Sequence, residues 1–250
     1  MITKPVLLIR ANGNEADAAA LDQLGITSVI DPFLQIVAEQ DPTGAAELLD
    51  AVISATDQTW IIATSLNAVN YWSHLVGVEE LKAAFKKENL SFAAVGKSTA
   101  ARLTNLGASS VMTGAAETSI GLLALLANQK PATAVIPSGN LAMKVLPSGL
   151  RQLGWNAISK MVYQNSIVTT EPASVLQISQ GEFGAIVLRS PSAVRALVRF
   201  LPLLTTPLIC GGPTTANELA KFNLPAAAVA QSPSAQELAL LVKEVLQSHE

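Results

Sequence analysis

The sequence has one cysteine, two histidines and few charges, and each scarcity removes a kind of chemistry. Lone Cys210 cannot form an internal disulfide. It ends the apolar run "PLIC" just before Gly211, the setting of a buried structural thiol. His74 sits inside the helical stretch "YWSHL" and His249 in the C-terminal tail, so a metal centre or a histidine-based triad lacks its usual ligands. Only 14% of residues are charged, the net charge is -3 and the pI is near 5.5, with no block of Lys or Arg. The electrostatic footprint of a nucleic-acid or anionic-membrane binder is therefore missing. Nowhere do about 18 apolar residues run uninterrupted, as a membrane span needs. The apolar stretch after Pro5 is too short for a signal-peptide core, so a cytoplasmic location is expected. "GKSTA" and "GGPTTA" lack the spacing of a phosphate-binding P-loop, and no G-x-G-x-x-G follows a strand, which leaves a nucleotide cofactor without support.

What is present is core-forming residue, which makes up half of the chain. At 250 residues two compact lobes are expected. Short apolar runs recur, each followed by small or polar residues and then an amphipathic pattern: "VLLIR", "WIIATS", "FAAVGKS", "TAVIPSGN", "AIVLRSPS" and "PLICGGPTT". Strands buried on both faces read as continuous apolar runs, so this rhythm predicts an α/β fold of parallel sheets covered by helices.

The rhythm repeats within the chain. "WIIATSLNAV" (60–69) returns as "AIVLRSPSAV" (185–194), "GKSTA" (96–100) as "GPTTA" (212–216), and "LDQLG" (21–25) as "LRQLG" (150–154). Three βα units in one order, twice over, predict two similar lobes. The polar, β-prone segments 31–42 and 162–172 have the look of extended crossings between them.

A buried strand that turns directly into a helix through Ser, Thr, Asn or Gly presents backbone N–H groups at the helix N-terminus, which attracts anions. In parallel α/β sheets such ends gather at the carboxyl edge, where ligands bind. The duplicated motif thus reads as a duplicated anion cradle. For Asn67, Thr99, Ser192 and Thr215 the plainer reading is helix capping alone. Tyr163 closes the predicted strand "ISKMVY", where packing is the plainer role.

Taken in order and spacing, "VLLIR", "LDQLG", "TSLNAV", "VGKSTA", "VIPSG…LRQLG…VYQN", "RSPSAV" and "GGPTTA…ELAKF" resemble uroporphyrinogen-III synthase over essentially the full length. The chain departs from the family at Ile9-Arg10-Ala11, often Thr-Arg-Pro, at Ala63, often Phe, and at Arg189, where Thr is common. The resemblance implies two α/β lobes joined by a two-stranded linker. One lobe is discontinuous (1–35 with 170–250), the other spans 38–165, and the linkers lie near 34–38 and 164–171. It further implies closure of hydroxymethylbilane to uroporphyrinogen III with loss of water and inversion of ring D, by a cytoplasmic lyase without metal or organic cofactor. The implied partners are that small-molecule substrate and, transiently, the preceding enzyme of the pathway, with no nucleic acid and no membrane.

The resemblance assigns Tyr163 as the proton donor. Thr64, Ser65, Asn67, Ser98, Thr99, Ser138, Gly139, Ser190, Ser192, Thr214 and Thr215 are expected to hold the substrate's carboxylates, with Arg10 and Lys97 adding charge at the rim. The competing readings are a two-lobed, non-catalytic binding protein for a small polyanion, and a glycosyltransferase-like enzyme, which would need a sugar-nucleotide site that the sequence does not show.

Overall fold

A computed structural model describes residues 4–114, 118–141, 145–232 and 234–248. His249 lies outside the described residues. Along the chain the strands are β1 (Val6–Leu8), β2 (Ser28–Ile30), β3 (Leu34–Ala38), β4 (Thr59–Ala63), β5 (Leu90–Ala94), β6 (Val111–Thr113), β7 (Thr133–Gly139), β8 (Asn156–Ile167), β9 (Ala185–Leu188), β10 (Leu208–Cys210) and β11 (Ala228–Val229). The helices are α1 (Asn14–Asp22), α2 (Thr43–Ile53), α3 (Leu66–Val76), α4 (Val78–Ala84), α5 (Lys97–Asn105), α6 (Ser119–Leu126), α7 (Val145–Gln152), α8 (Ser174–Ser179), α9 (Pro191–Phe200), α10 (Pro213–Ala220) and α11 (Ala235–Ser248).

The chain divides into two compact units, changing from one to the other at Ile36/Val37 and back at Asn165/Ser166. The first unit holds a sheet of order β11-β10-β9-β1-β2, with parallel pairings. The second is built on a sheet of order β3-β8-β7-β4-β5-β6, parallel from β8 to β6. Writing β4, β5, β6, β7 and β8 for β9, β10, β11, β1 and β2 turns the first order into the second, to which β3 is added at the β8 edge. Register agrees as well: Ala63 pairs with Ala94 in one sheet and Leu188 with Cys210 in the other, the same positions of the two repeats.

Local sequence explains the elements. In β4, "TWIIA" is buried at every position, as a central parallel strand requires. Its alternate residues enter two apolar layers: Ile61 and Ala63 join Phe92, Ala94 and Trp72 on one face, while Trp60 and Ile62 join Ala93, Ile136 and Leu150 on the other. Helix α9 starts with Pro191, whose missing N–H costs nothing there, and buries Ala193, Val194, Ala196 and Leu197.

The helix caps lie upstream of the residues named from sequence. Ser65 caps α3, Gly96 α5, Ser190 α9 and Gly212 α10, so Asn67 and Ser192 sit two residues inside their helices, and Thr99 and Thr215 are buried inside the first turn. The reason is geometric: the cap is the last residue with extended backbone, and strand conformation ends at 65 and 190, as the φ near -155° of both residues shows. Strand β8 also differs from expectation, because it runs on to Ile167 and places Tyr163 in its interior.

Candidate functional site

In the second unit, the carboxyl ends of β4 and β7, the starts of α6 and α7, and the middle of β8 enclose a cavity of about 220 Å³. Thr64, Ser65, Ser119, Ser138 and Tyr163 supply its polar groups; Ile136, Leu141, Leu146 and Pro147 supply an apolar wall. Ser65 serves two purposes. Its Oγ accepts the Ala68 amide at 3.1 Å, capping α3, and lies 3.3 Å from the Tyr163 hydroxyl, where either oxygen can donate. A phenol held on a strand beside a hydroxyl and an apolar wall can deliver a proton to a ligand in the cavity.

Tyr163 reaches this place through a β-bulge. Ser138 pairs with Met161 but Gly139 pairs with Tyr163, so one extra residue is accommodated on β8. Val162 and Tyr163 then pack on the same core face, where a regular strand would send them to opposite ones. Asn140 fixes the segment beyond: its backbone N–H donates to the Tyr163 carbonyl, while its side chain exchanges two hydrogen bonds with the backbone of Asn165. Gly139 lies against the ring, since a Cβ there would collide with Tyr163 Cζ. Ser138 is buried, its hydroxyl shared with Ser159 Oγ at 3.0 Å.

The other expected residues of this unit lie apart from the cavity. Lys97 and Ser98 open α5 in exposed positions and Thr99 is buried behind them; Asn67 is half-buried in the first turn of α3. Sequence reasoning missed Ser119, Ile136, Leu141, Leu146 and Pro147, none of which stands in a chemical motif of its own.

In the first unit, the matching edge carries Arg10, Ser190, Ser192, Thr214 and Thr215. Ser190 caps α9 through the Ala193 amide at 3.3 Å and lies 2.9 Å from Ser192 Oγ. Thr214 is exposed on α10. Arg10 folds its guanidinium over Gly13, whose φ of 76° calls for glycine, and Asn14 ties the turn through both the N–H and the carbonyl of Arg10. Arg189 forms a largely buried, two-pronged ion pair with Asp17 of α1, donating from Nε at 2.9 Å and from a terminal guanidinium nitrogen. Cys210 ends β10 fully buried, and that burial pushes its thiol up to about 11. Among the described residues no three His, Cys, Asp or Glu side chains gather as a metal site needs, and no helix is long and apolar enough to cross a membrane.

Residues 15–239 match the family model described as uroporphyrinogen-III synthase HemD. The chain belongs to the uroporphyrinogen-III synthase family. Two solved structures share the fold. A mutant uroporphyrinogen III synthase from the extremely thermophilic bacterium Thermus thermophilus aligns with TM-score 0.62 at 18% identity, covering 98% of this chain and 99% of that one. The uroporphyrinogen-III synthetase of Helicobacter pylori aligns with TM-score 0.62 at 16% identity, covering 97% and 99%. No curated protein matches the sequence significantly.

Proposed function

We propose that the chain is a working lyase of this family, closing hydroxymethylbilane to uroporphyrinogen III with loss of water and inversion of ring D. The observation that carries this reading is the cavity holding the Tyr163 phenol 3.3 Å from Ser65 Oγ at a helix N-terminus. The pyrrole nitrogen lone pair expels the terminal hydroxyl, which leaves as water on taking a proton, and Tyr163 supplies that proton. The apolar wall of Ile136, Leu141, Leu146 and Pro147 suits the face of a pyrrole ring, and the hydroxyls of Thr64, Ser65 and Ser119 beside it suit its carboxylates.

Linear substrate also closes unaided to the symmetric isomer I, so positioning outranks acid–base power. Held geometry contributes about 7 to 11 kcal/mol to such a reaction, against about 10² to 10⁴ in rate for a placed proton donor. In this reading segments 34–38 and 164–171 link two domains, the location is cytoplasmic, and the preceding enzyme makes only transient contact. A two-domain polyanion-binding protein would use the same strand ends without the phenol.

The test is to feed the purified chain hydroxymethylbilane made in situ and separate the products. Isomer III should dominate, and Tyr163→Phe should slow its formation roughly ten-fold to a thousand-fold with more isomer I. Isomer I alone from the folded, unsubstituted chain would leave only the binding reading.

A further inference from the structure

The phenol of Tyr163 sits in a strand interior, at a bulge, and a bulge alone leaves an aromatic side chain free to choose its rotamer. Two features remove that freedom. The Tyr71 ring, on α3, stacks on Tyr163 with centroids 5.7 Å apart and planes 24° apart, within the range of favourable offset stacking. At Gly139 the absence of a side chain leaves the gap that the phenol end fills: a Cβ there would lie 2.7 Å from the Tyr163 hydroxyl oxygen. Ser65, which caps α3 one and a half turns before Tyr71, meets that hydroxyl. The helix that presents the hydroxyl partner therefore also presents the stacking ring, so both move as one body.

We infer that Tyr71 is a positioning residue, which by stacking holds the Tyr163 phenol against Ser65 and over the cavity. The inference rests on the reading of Tyr163 as proton donor and adds to it the group that aims the donor. Tyr71 touches neither substrate nor proton in this role. Its ring face is what counts, and its hydroxyl is not required for the stack.

The chain contains two tyrosines, so carbon-13 labelling of tyrosine rings gives two ring environments, assigned with Tyr163→Phe. Tyr71→Leu is expected to lower the turnover of isomer III roughly ten-fold to a hundred-fold through kcat, with KM nearly constant, because geometry rather than binding is lost. The Tyr163 ring signal should shift as the neighbouring ring current disappears. Tyr71→Phe should restore both rate and signal. In a Tyr163→Phe background, Tyr71→Leu should cost nothing further, since residues that act as a unit are not additive. Tyr71→Leu at the unsubstituted rate, or an equal loss with and without the Tyr163 phenol, would overturn the inference while leaving the donor intact. A Tyr163→Phe chain at the unsubstituted rate would instead remove the donor reading and the role of Tyr71 with it. If Tyr71→Leu does not fold, Tyr71→Met carries the same comparison. Absence of ring-to-ring Overhauser contacts in the unsubstituted protein would also overturn the inference.

Discussion

The two units repeat one topology and differ at one edge. Thr64 follows β4 where Arg189 follows β9, and the matched leucines Leu150 and Leu21 put Leu146 of α7 in the place of Asp17 of α1. In the second unit this pair of positions lines the cavity beside Tyr163. In the first it is occupied by the Arg189–Asp17 ion pair, and Ala196 stands where Tyr71 stacks in the other repeat. The backbone cradle was kept twice; the open cavity with its phenol was kept once. Divergence at these side-chain positions leaves a cavity beside a phenol in the second unit and an ion pair in the first.

The largest effect should come from breaking the filled edge. Asp17→Ala leaves Arg189 buried beside Leu188 and Gly211 without its carboxylate, which costs about 3 to 5 kcal/mol and lowers the midpoint of urea unfolding. Making the edge resemble its counterpart, with Asp17→Leu and Arg189→Thr together, should recover most of that loss, because the uncompensated charge is gone. A double variant as unstable as Asp17→Ala would show that the pair is more than a substitute for packing.

The open edge should fail differently. Gly139→Ala places a methyl against the Tyr163 ring, backed by Tyr71 and the core, so the ring must shift. Overpacking of this kind costs about 1 to 3 kcal/mol. The larger consequence is a loss of isomer III turnover of roughly ten-fold or more, since the phenol leaves its place. Turnover and the isomer ratio measure it; an active, stable Gly139→Ala chain would contradict the close packing.

Between the matched caps the comparison sharpens. Ser65→Ala and Ser190→Ala each remove one hydroxyl that accepts the amide three residues on, costing about 0.5 to 2 kcal/mol of stability. Only Ser65→Ala also removes the partner of the Tyr163 hydroxyl, so only it should slow turnover, by a few-fold for one hydrogen bond of about 1 kcal/mol. Complete loss of activity in folded Ser65→Ala would make that hydroxyl catalytic in its own right.

What the sequence reveals follows sequence distance. The strand-to-helix turns at Ser65 and Ser190 are local, written in ten consecutive residues, and the doubled pattern made the parallel α/β fold and the family legible. Of the cavity lining, Thr64, Ser65, Ser138 and Tyr163 are named from the sequence and its resemblance. The bulge at Tyr163 is decided by pairing with Gly139 across two strands, which no run of "SKMVYQ" displays. Tyr71 reads as an ordinary helix residue until β8 is placed next to it. The Arg189–Asp17 pair joins residues 172 positions apart, a separation that no local motif displays. Thr99 and Thr215 suggested ligands by residue type, but helix phase turns them inward.

The smallest difference concerns one helix pair and is revealed by acid. Arg102 of α5 donates to Asn70 and Ser73 of α3, while at the matching positions of the first unit Arg195 of α9 donates to Glu218 of α10, which Lys221 also meets. One contact contains a titrating acceptor and the other does not. Hydrogen bonds from Lys221 and then Arg195 hold the Glu218 carboxyl below the usual glutamate range. A carboxyl whose folded value is depressed adds stability above its unfolded value of about 4.3, and that stability is lost as pH falls through the lower folded value. The α9–α10 contact should thus weaken below about pH 4.3, more so at low salt, while α3–α5 keeps its contact. Arg195 and Lys221 are largely solvated, so the effect is small. Amide exchange on α10 compared with α5, followed from about pH 6 to about pH 3 across that carboxylate range, measures it, and Glu218→Gln should remove the α10 dependence. If α5 and α10 loosen together, or if Glu218→Gln leaves the α10 profile unchanged, this carboxylate is not what distinguishes the two units in acid.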